Sequence, residues 1–315
     1  RPFPTRYGGP SSGKSMAPSP PCPDTGDIVL KQLARATLKP VAATRKKVRT
    51  VAPSRLLGSP HFMLIGAQKS GTTSLYSWMT KHPDVLAARS KELHYFNRHI
   101  ESKPLDAYLQ GFPLQPTISA LSTIRRRPVV TGESTPAYLF HPLVPQRVHR
   151  HFPDARLIVI LREPAERSRS HYWMQVNRGT ETLSFEQAIA SEQDRIRPEL
   201  EKIGRGESPG AALQRLSYLA RGHYAEQLER WLSFFRREQL LILQFEQLVE
   251  DPAQVYTKAL LHLGIDPDIA PMPAFQARRV GSKQEPDPNT TKWLKEHFRE
   301  SNERLNALTG INYNR

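Results

Sequence analysis

Apolar positions along the 315-residue chain fall into two patterns. Short unbroken apolar blocks alternate with longer stretches in which apolar residues recur at helical spacing. The blocks at 62–65, 85–87, 129–132, 155–161 and 240–245 predict strands. The block at 155–161 is apolar on both faces, as in a parallel sheet covered on both sides. Helices are predicted from Thr72 through Met79, near 105–111, and over 142–151, 165–176, 185–195, 211–235, 248–263 and 290–308. Tyr224, Leu228, Trp231, Leu232 and Phe235 form a stripe that reads as core. Residues 97–127 have weak periodicity and read as loop around the helix near 105–111, and 266–290 reads as Pro-rich and irregular. Strands alternating with helices predict an α/β fold, a parallel sheet in three layers. Ligands in such sheets bind outside the carboxyl ends of the strands.

The chemistry gathers at those ends. After the first strand come Gly66-Ala-Gln-Lys-Ser-Gly-Thr-Thr73 and then a helix. Strand, glycine loop and helix N-terminus make a phosphate cradle, to which Lys69 adds a positive charge. Gly66 and Gly71 keep the G-x-x-x-x-G spacing, but Lys69 precedes Gly71 where a nucleotide triphosphatase loop has Lys and Ser or Thr after it. Two further groups are expected just after strands: Glu133 and Arg162. Their shared position predicts one site.

Composition narrows the partners. The net charge is +15, but residues 1–60 hold eleven of the 45 Lys and Arg and two of the 30 Asp and Glu. The remainder is mildly basic, which disfavours a dedicated nucleic-acid binder and fits anionic small molecules or polyanions. Residues 1–60 also carry ten of the 28 prolines and read as a disordered basic tail, preceding a domain at 61–315. As function, that tail suits a stalk, a targeting peptide or an electrostatic arm. Cys22 is the lone cysteine, so no intrachain disulfide is available. No apolar run approaches the roughly 18 residues of a membrane-crossing helix. The chain begins with Arg1, so a preceding anchor stays open, and with it the compartment: Golgi lumen for a stem-anchored enzyme, cytoplasm otherwise.

Gln68-Lys-Ser-Gly-Thr-Thr73 resembles the 5′-phosphosulfate loop of sulfotransferases that use PAPS, 3′-phosphoadenosine 5′-phosphosulfate. Leu161-Arg-Glu-Pro-Ala-Glu-Arg-Ser-Arg-Ser-His-Tyr172 is similar to their 3′-phosphate motif, an Arg and a Ser eight residues apart. Lys91-Glu-Leu-His-Tyr-Phe96, Glu133-Ser-Thr-Pro-Ala-Tyr138 and Tyr224-Ala-Glu-Gln-Leu-Glu-Arg-Trp231 resemble the heparan sulfate branch, which acts on glycans. The likeness spans roughly 62–315. It implies sulfuryl transfer from PAPS, without a metal, to a glycan or another hydroxyl or amine acceptor. It assigns Lys69, Ser70, Gly71, Thr72 and Thr73 to the 5′ phosphate, Arg162 and Ser170 to the 3′ phosphate, and Ser282 and Lys283 to a basic loop closing on the nucleotide. Lys69 would also stabilise the leaving phosphate. Glu133 is the implied general base, and Lys91, Glu92 and His94 face the acceptor. Lys91 could instead pair with Glu133, and His94, His141 and His171 are rival bases. The resemblance departs at Ser134, where a lysine is frequent, and in the only loosely similar 281–286 segment. The C-terminal disulfide pair of Golgi relatives is absent.

Two other classes compete. A P-loop kinase or nucleotide triphosphatase needs an Asp at a strand end to hold magnesium, whereas the best strand runs into Arg162. A non-catalytic polyanion-binding protein would work through the basic tail and be indifferent to Lys69→Ala.

Overall fold

The computed structural model describes residues 53–275 and 287–314. Among them five strands form one sheet: β1 (Phe62–Gly66), β2 (Val85–Ala87), β3 (Val130–Ser134), β4 (Arg156–Leu161) and β5 (Leu240–Gln244). All pairings are parallel and the order is β2-β3-β1-β4-β5. β1 is central, with Phe62 opposite Gly132 of β3 on one side and Arg156 of β4 on the other. The chain leaves β1 toward one edge and crosses to the other after β3. Such a reversal opens a crevice at the carboxyl ends of β1, β3 and β4.

The strands are buried on both faces because alternate side chains enter opposite layers. Met63, Ile65, Leu157, Val159 and Leu161 pack with Tyr95, Phe96, Tyr108, Tyr138 and the stripe Tyr224, Leu228, Trp231. Phe62, Leu64, Ile158 and Ile160 pack on the other side with Leu75, Trp78, Met79, Val255, Tyr256 and Leu260. Each such burial contributes roughly 1.5–3 kcal/mol, and truncating Ile160 to Ala costs roughly 2–5 kcal/mol once the cavity is counted.

The helices are α1 (Thr72–Met79), α2 (Leu105–Leu109), α3 (Gln115–Arg125), α4 (Val144–His151), α5 (Pro164–Asn177), α6 (Phe185–Ala190), α7 (Glu192–Gly204), α8 (Ala211–Arg215), α9 (Tyr224–Leu232), α10 (Phe245–Glu250), α11 (Pro252–His262) and α12 (Pro288–Thr309). Three expectations are corrected. Residues 115–125 are a helix, not loop; it buries Ile118 and little else, so it carries no apolar stripe. The predicted run 211–235 is broken between α8 and α9, where Ser217 and Tyr218 turn inward and Gly222 lies so near the Phe298 ring that an added Cβ would meet it at 2.6 Å. The predicted helix 248–263 is two helices, because Asp251 caps α11 by accepting from the Gln254 N–H at 2.9 Å, with Pro252 following. Packing begins before residue 61: Leu57 is buried and bridges Leu114. Among the described residues no helix is long and apolar enough to cross a membrane.

Candidate active site

β1 delivers the loop that follows it rigidly. The Ala67 N–H donates to the Ile160 carbonyl at 2.8 Å, and the Ser70 N–H to the Ala67 carbonyl at 3.2 Å. The chain then enters α1 through Gly71, whose φ of 82° is left-handed and whose missing Cβ would meet Leu248 at 2.5 Å. No side chain caps α1. Its first-turn N–H groups therefore face the crevice unclaimed by the helix, a standing invitation to an anion. Ser70 is fully buried, and among the described residues its hydroxyl has no hydrogen-bond partner. Lys69 holds a left-handed φ of 74°, a strain that persists in non-glycine residues chiefly where function demands it. Thr72 is buried and Thr73 is exposed.

Arg162 stands one residue past β4 and meets this loop. Its Nη1 donates to the Lys69 carbonyl at 3.4 Å and its Nη2 to Glu166 at 3.2 Å, while the guanidinium lies over the Phe245 ring at 4.7 Å. The Arg162 carbonyl is fixed by the Tyr224 hydroxyl at 2.9 Å. Glu163 starts α5 by accepting from the Ala165 and Glu166 N–H groups. Ser170 is partly exposed one turn beyond Glu166, on the helix face that Arg162 meets. The loop after β1 and the residues after β4 therefore meet at one rim of the sheet.

The electrostatics are lopsided. Burial pushes Lys69 below the ordinary lysine range, and the cations Arg162, Arg178 and Arg167 push it further. Arg167 is wholly buried; its Nη2 donates to the Tyr218 carbonyl, but among the described residues Nε and Nη1 have no partner. Arg167 feels the Glu192 and Glu163 carboxylates, but its bare nitrogens remain donors that a multiply charged anion would satisfy. Arg167 and Arg178 were invisible as site residues in the sequence, since nothing local marks them.

The end of β3 differs. Glu133 is not beyond the strand but inside it, and it is fully buried. Its carboxylate accepts from the Tyr108 hydroxyl at 2.7 Å, the Tyr138 hydroxyl at 3.1 Å, the Thr135 hydroxyl at 2.5 Å and the Leu93 N–H at 3.3 Å. Burial raises its pKa and these donors pull it back. Lys91 does not pair with Glu133: it binds Glu92 at 2.8 Å, and Glu92 also meets His94 Nε2 at 3.1 Å. The Glu92 side chain is 42% exposed. Partial burial raises its pKa, but His94 and Lys91 outweigh that and hold it down to about 2. The Leu93 and His94 N–H groups also rest on the Thr135 hydroxyl, at 3.2 and 3.4 Å. Strand β3 thus presents 92–94 to the crevice.

Two rival bases are buried. His171 is fully buried, and burial pushes its pKa well below the imidazole range. His141 is held down to about 3 by burial and by Arg147 and Arg221; its Nδ1 accepts from the Leu143 N–H at 3.3 Å, so Nε2 carries the proton. Ser282 and Lys283 lie outside the described residues.

The model of the sulfotransferase domain family matches residues 59–307. The chain belongs to that family. It is 27% identical to the membrane-associated sulfotransferase kil1 of Dictyostelium discoideum over 81% of this chain and 66% of that protein. It is 31% identical to the bifunctional heparan sulfate N-deacetylase/N-sulfotransferase of Drosophila melanogaster over 66% of this chain, which is 20% of that protein. The sulfotransferase structure from Alicyclobacillus acidocaldarius matches with a TM-score of 0.62 and 30% identity, covering 82% of this chain and all of that one. The chain carries a sulfotransferase domain, and the parallel sheet with its lysine-bearing loop is the sulfotransferase fold. This domain carries its cations at the ends of β1 and β4, a buried carboxylate, Glu133, in β3, and an exposed one, Glu92, on the segment after β2.

Proposed function

We propose that this sulfotransferase moves the sulfuryl group of PAPS to a hydroxyl or amine of a carbohydrate. The observation that carries the reading is the group of cations at the loop after β1, Lys69 with Arg162, Arg167 and Arg178. The residues present fit PAPS: an uncapped helix N-terminus, a partnerless Ser70 hydroxyl and a partnerless arginine edge are donors waiting for phosphate oxygens. PAPS supplies the sulfuryl group on a phosphate leaving group. Ser70, Gly71, Thr72 and Thr73 hold the 5′ phosphate, and Arg162 and Ser170 grip the 3′ phosphate. Ser282 and Lys283 are retained as nucleotide contacts. Lys69 neutralises the phosphate oxygen that keeps the electron pair when its bond to sulfur breaks. The carbohydrate acceptor is supported by the heparan sulfate enzymes among the relatives.

The proton acceptor is better read as Glu92 than as Glu133. A base must first be within reach, and only then does its basicity matter. Glu133 has four donors on two oxygens and no exposed surface, whereas Glu92 is open. Glu92 takes the acceptor's proton as the new bond to sulfur forms, His94 orients it, and Lys91 attracts acceptor anions. Glu133 becomes the anchor that positions 92–94.

The test incubates the full chain with PAPS labelled in its sulfur and a panel of oligosaccharides, simple alcohols and amines. Label is expected in an oligosaccharide, with turnover lost in Glu92→Gln. Transfer only to non-carbohydrate acceptors overturns the acceptor class. Full turnover by Glu92→Gln overturns the base.

A further inference from the structure

Beside the 92–94 segment lies a cavity of about 310 Å³, between the Tyr95–His99 turn, the residues after β3, and α8 with its preceding loop. Its wall includes Arg98, Arg215, Arg221, His141, Asn97 and Gln214, and among the described residues lining it there is no Asp or Glu. Three guanidinium groups therefore face one space. Among the described residues none of the three forms an ion pair. Arg98 feels Glu92 on one side and Arg215 on the other. Arg221 is buried, stacked over Phe140 at 4.7 Å and fixed by its Nε donating to Ser217 at 2.7 Å. Burial, with help from Arg167 and against the pull of Glu192, pushes Arg221 down to about 9. His141 is 4% exposed, and its Nε2, which carries the proton, has no partner.

Two exposed arginines and one buried arginine lining a space without a carboxylate in its wall offer more donors than the protein itself satisfies, which suits an anionic ligand. The cavity adjoins the proposed base through a chain of contacts: Glu92 meets His94 Nε2 at 3.1 Å, and His94 Nδ1 meets Asn97 at 3.3 Å. A ligand group here belongs to the same molecule whose hydroxyl or amine reaches Glu92.

We propose that this cavity is an acceptor subsite for an acidic substituent of the carbohydrate, a carboxylate or a sulfate, gripped by Arg98 and Arg215 at its mouth and completed by the Arg221 and His141 donors. This deepens the carbohydrate-sulfation reading and rests on it. Planar, forked guanidinium groups suit either oxyanion. The subsite makes the enzyme select acidic over neutral glycans.

The test compares three matched oligosaccharides with PAPS: one with uronic carboxylates, its carboxyl-reduced form, and the carboxyl-reduced form bearing sulfate elsewhere. Arg98 and Arg215 are exposed, so Arg98→Ala with Arg215→Ala leaves the fold intact. The wild type is expected to favour one acidic form over the reduced form by about tenfold or more in kcat/KM, through KM, since charged hydrogen bonds are lost with the acid. Which acidic form wins tells carboxylate from sulfate. The double variant is expected to lose that preference while its affinity for PAP, the desulfated nucleotide, stays at the wild-type value. Calorimetric binding of the same oligosaccharides reads the preference independently of turnover. An unchanged preference in the double variant, or no preference in the wild type, overturns the subsite. Failure to bind PAP at all overturns instead the sulfuryl-transfer reading beneath it.

Discussion

The ends of β1 and β4 and the end of β3 lie on the same rim of the sheet, yet they are finished in opposite ways. At β1 and β4 the charged groups are cations and the donors beside them are incompletely partnered among the described residues: Lys69 among arginines, the Ser70 hydroxyl without a partner, Arg167 with one edge bare. At β3 the charged group is a carboxylate saturated by donors, Glu133 with Tyr108, Tyr138, Thr135 and Leu93. A group left wanting is poised for a ligand. A group fully satisfied is poised for structure. Proximity to a strand end marks both, so only the count of partners separates them.

The comparison breaks first at the lysine. Lys69→Ala is expected to lower kcat about 10²–10³-fold, the usual loss when a donor to developing charge is removed. Its thermal unfolding should hardly move, because among the described residues Lys69 makes no side-chain hydrogen bond or ion pair. Measured turnover against calorimetric unfolding separates the two effects. Glu133→Ala is expected to do the reverse and cost about 3 kcal/mol of stability, since it strands two buried tyrosine hydroxyls. Denaturant unfolding checks it, and a variant of wild-type stability would sink the anchor role. Arg162→Ala should weaken PAP about 10–100-fold, the worth of a charged contact, as read by calorimetry.

The smallest effect is in pH. Glu92 is held below its ordinary value, so its carboxylate is ionised and able to accept a proton at any pH above about 2. Removing the Lys91 charge relaxes that depression, so in Lys91→Ala the acid limb of the kcat/KM profile should move upward toward the ordinary glutamate range. A limb that stays put would separate Glu92 from the limb.

Much of this was legible in the sequence for physical reasons. Strands buried on both faces read as unbroken apolar blocks, and β1 and β4 were found nearly residue for residue. The loop chemistry of Lys69, Gly71 and Arg162 is local and was legible too. Helix α3 was not, because an exposed helix burying Ile118 leaves no stripe to read. The Asp251-Pro252 pair was a readable helix start that the apolar run concealed. That Glu133 is saturated could not be read, because its donors come from Tyr108, Thr135, Tyr138 and the Leu93 backbone, partly distant in sequence. The same holds for Arg98, Arg215 and Arg221: that they share one acid-free space is a fact of packing, and no spacing along the chain announces it.

The central claim is that incomplete cations at the ends of β1 and β4 form the nucleotide site. Calorimetric titration of PAP into the full chain, with Lys69→Ala and Arg162→Ala alongside, tests it most directly. The account predicts one PAP per chain, weakened in both variants without loss of thermal stability. Equal affinity in all three proteins, or no binding by the wild type, would contradict it.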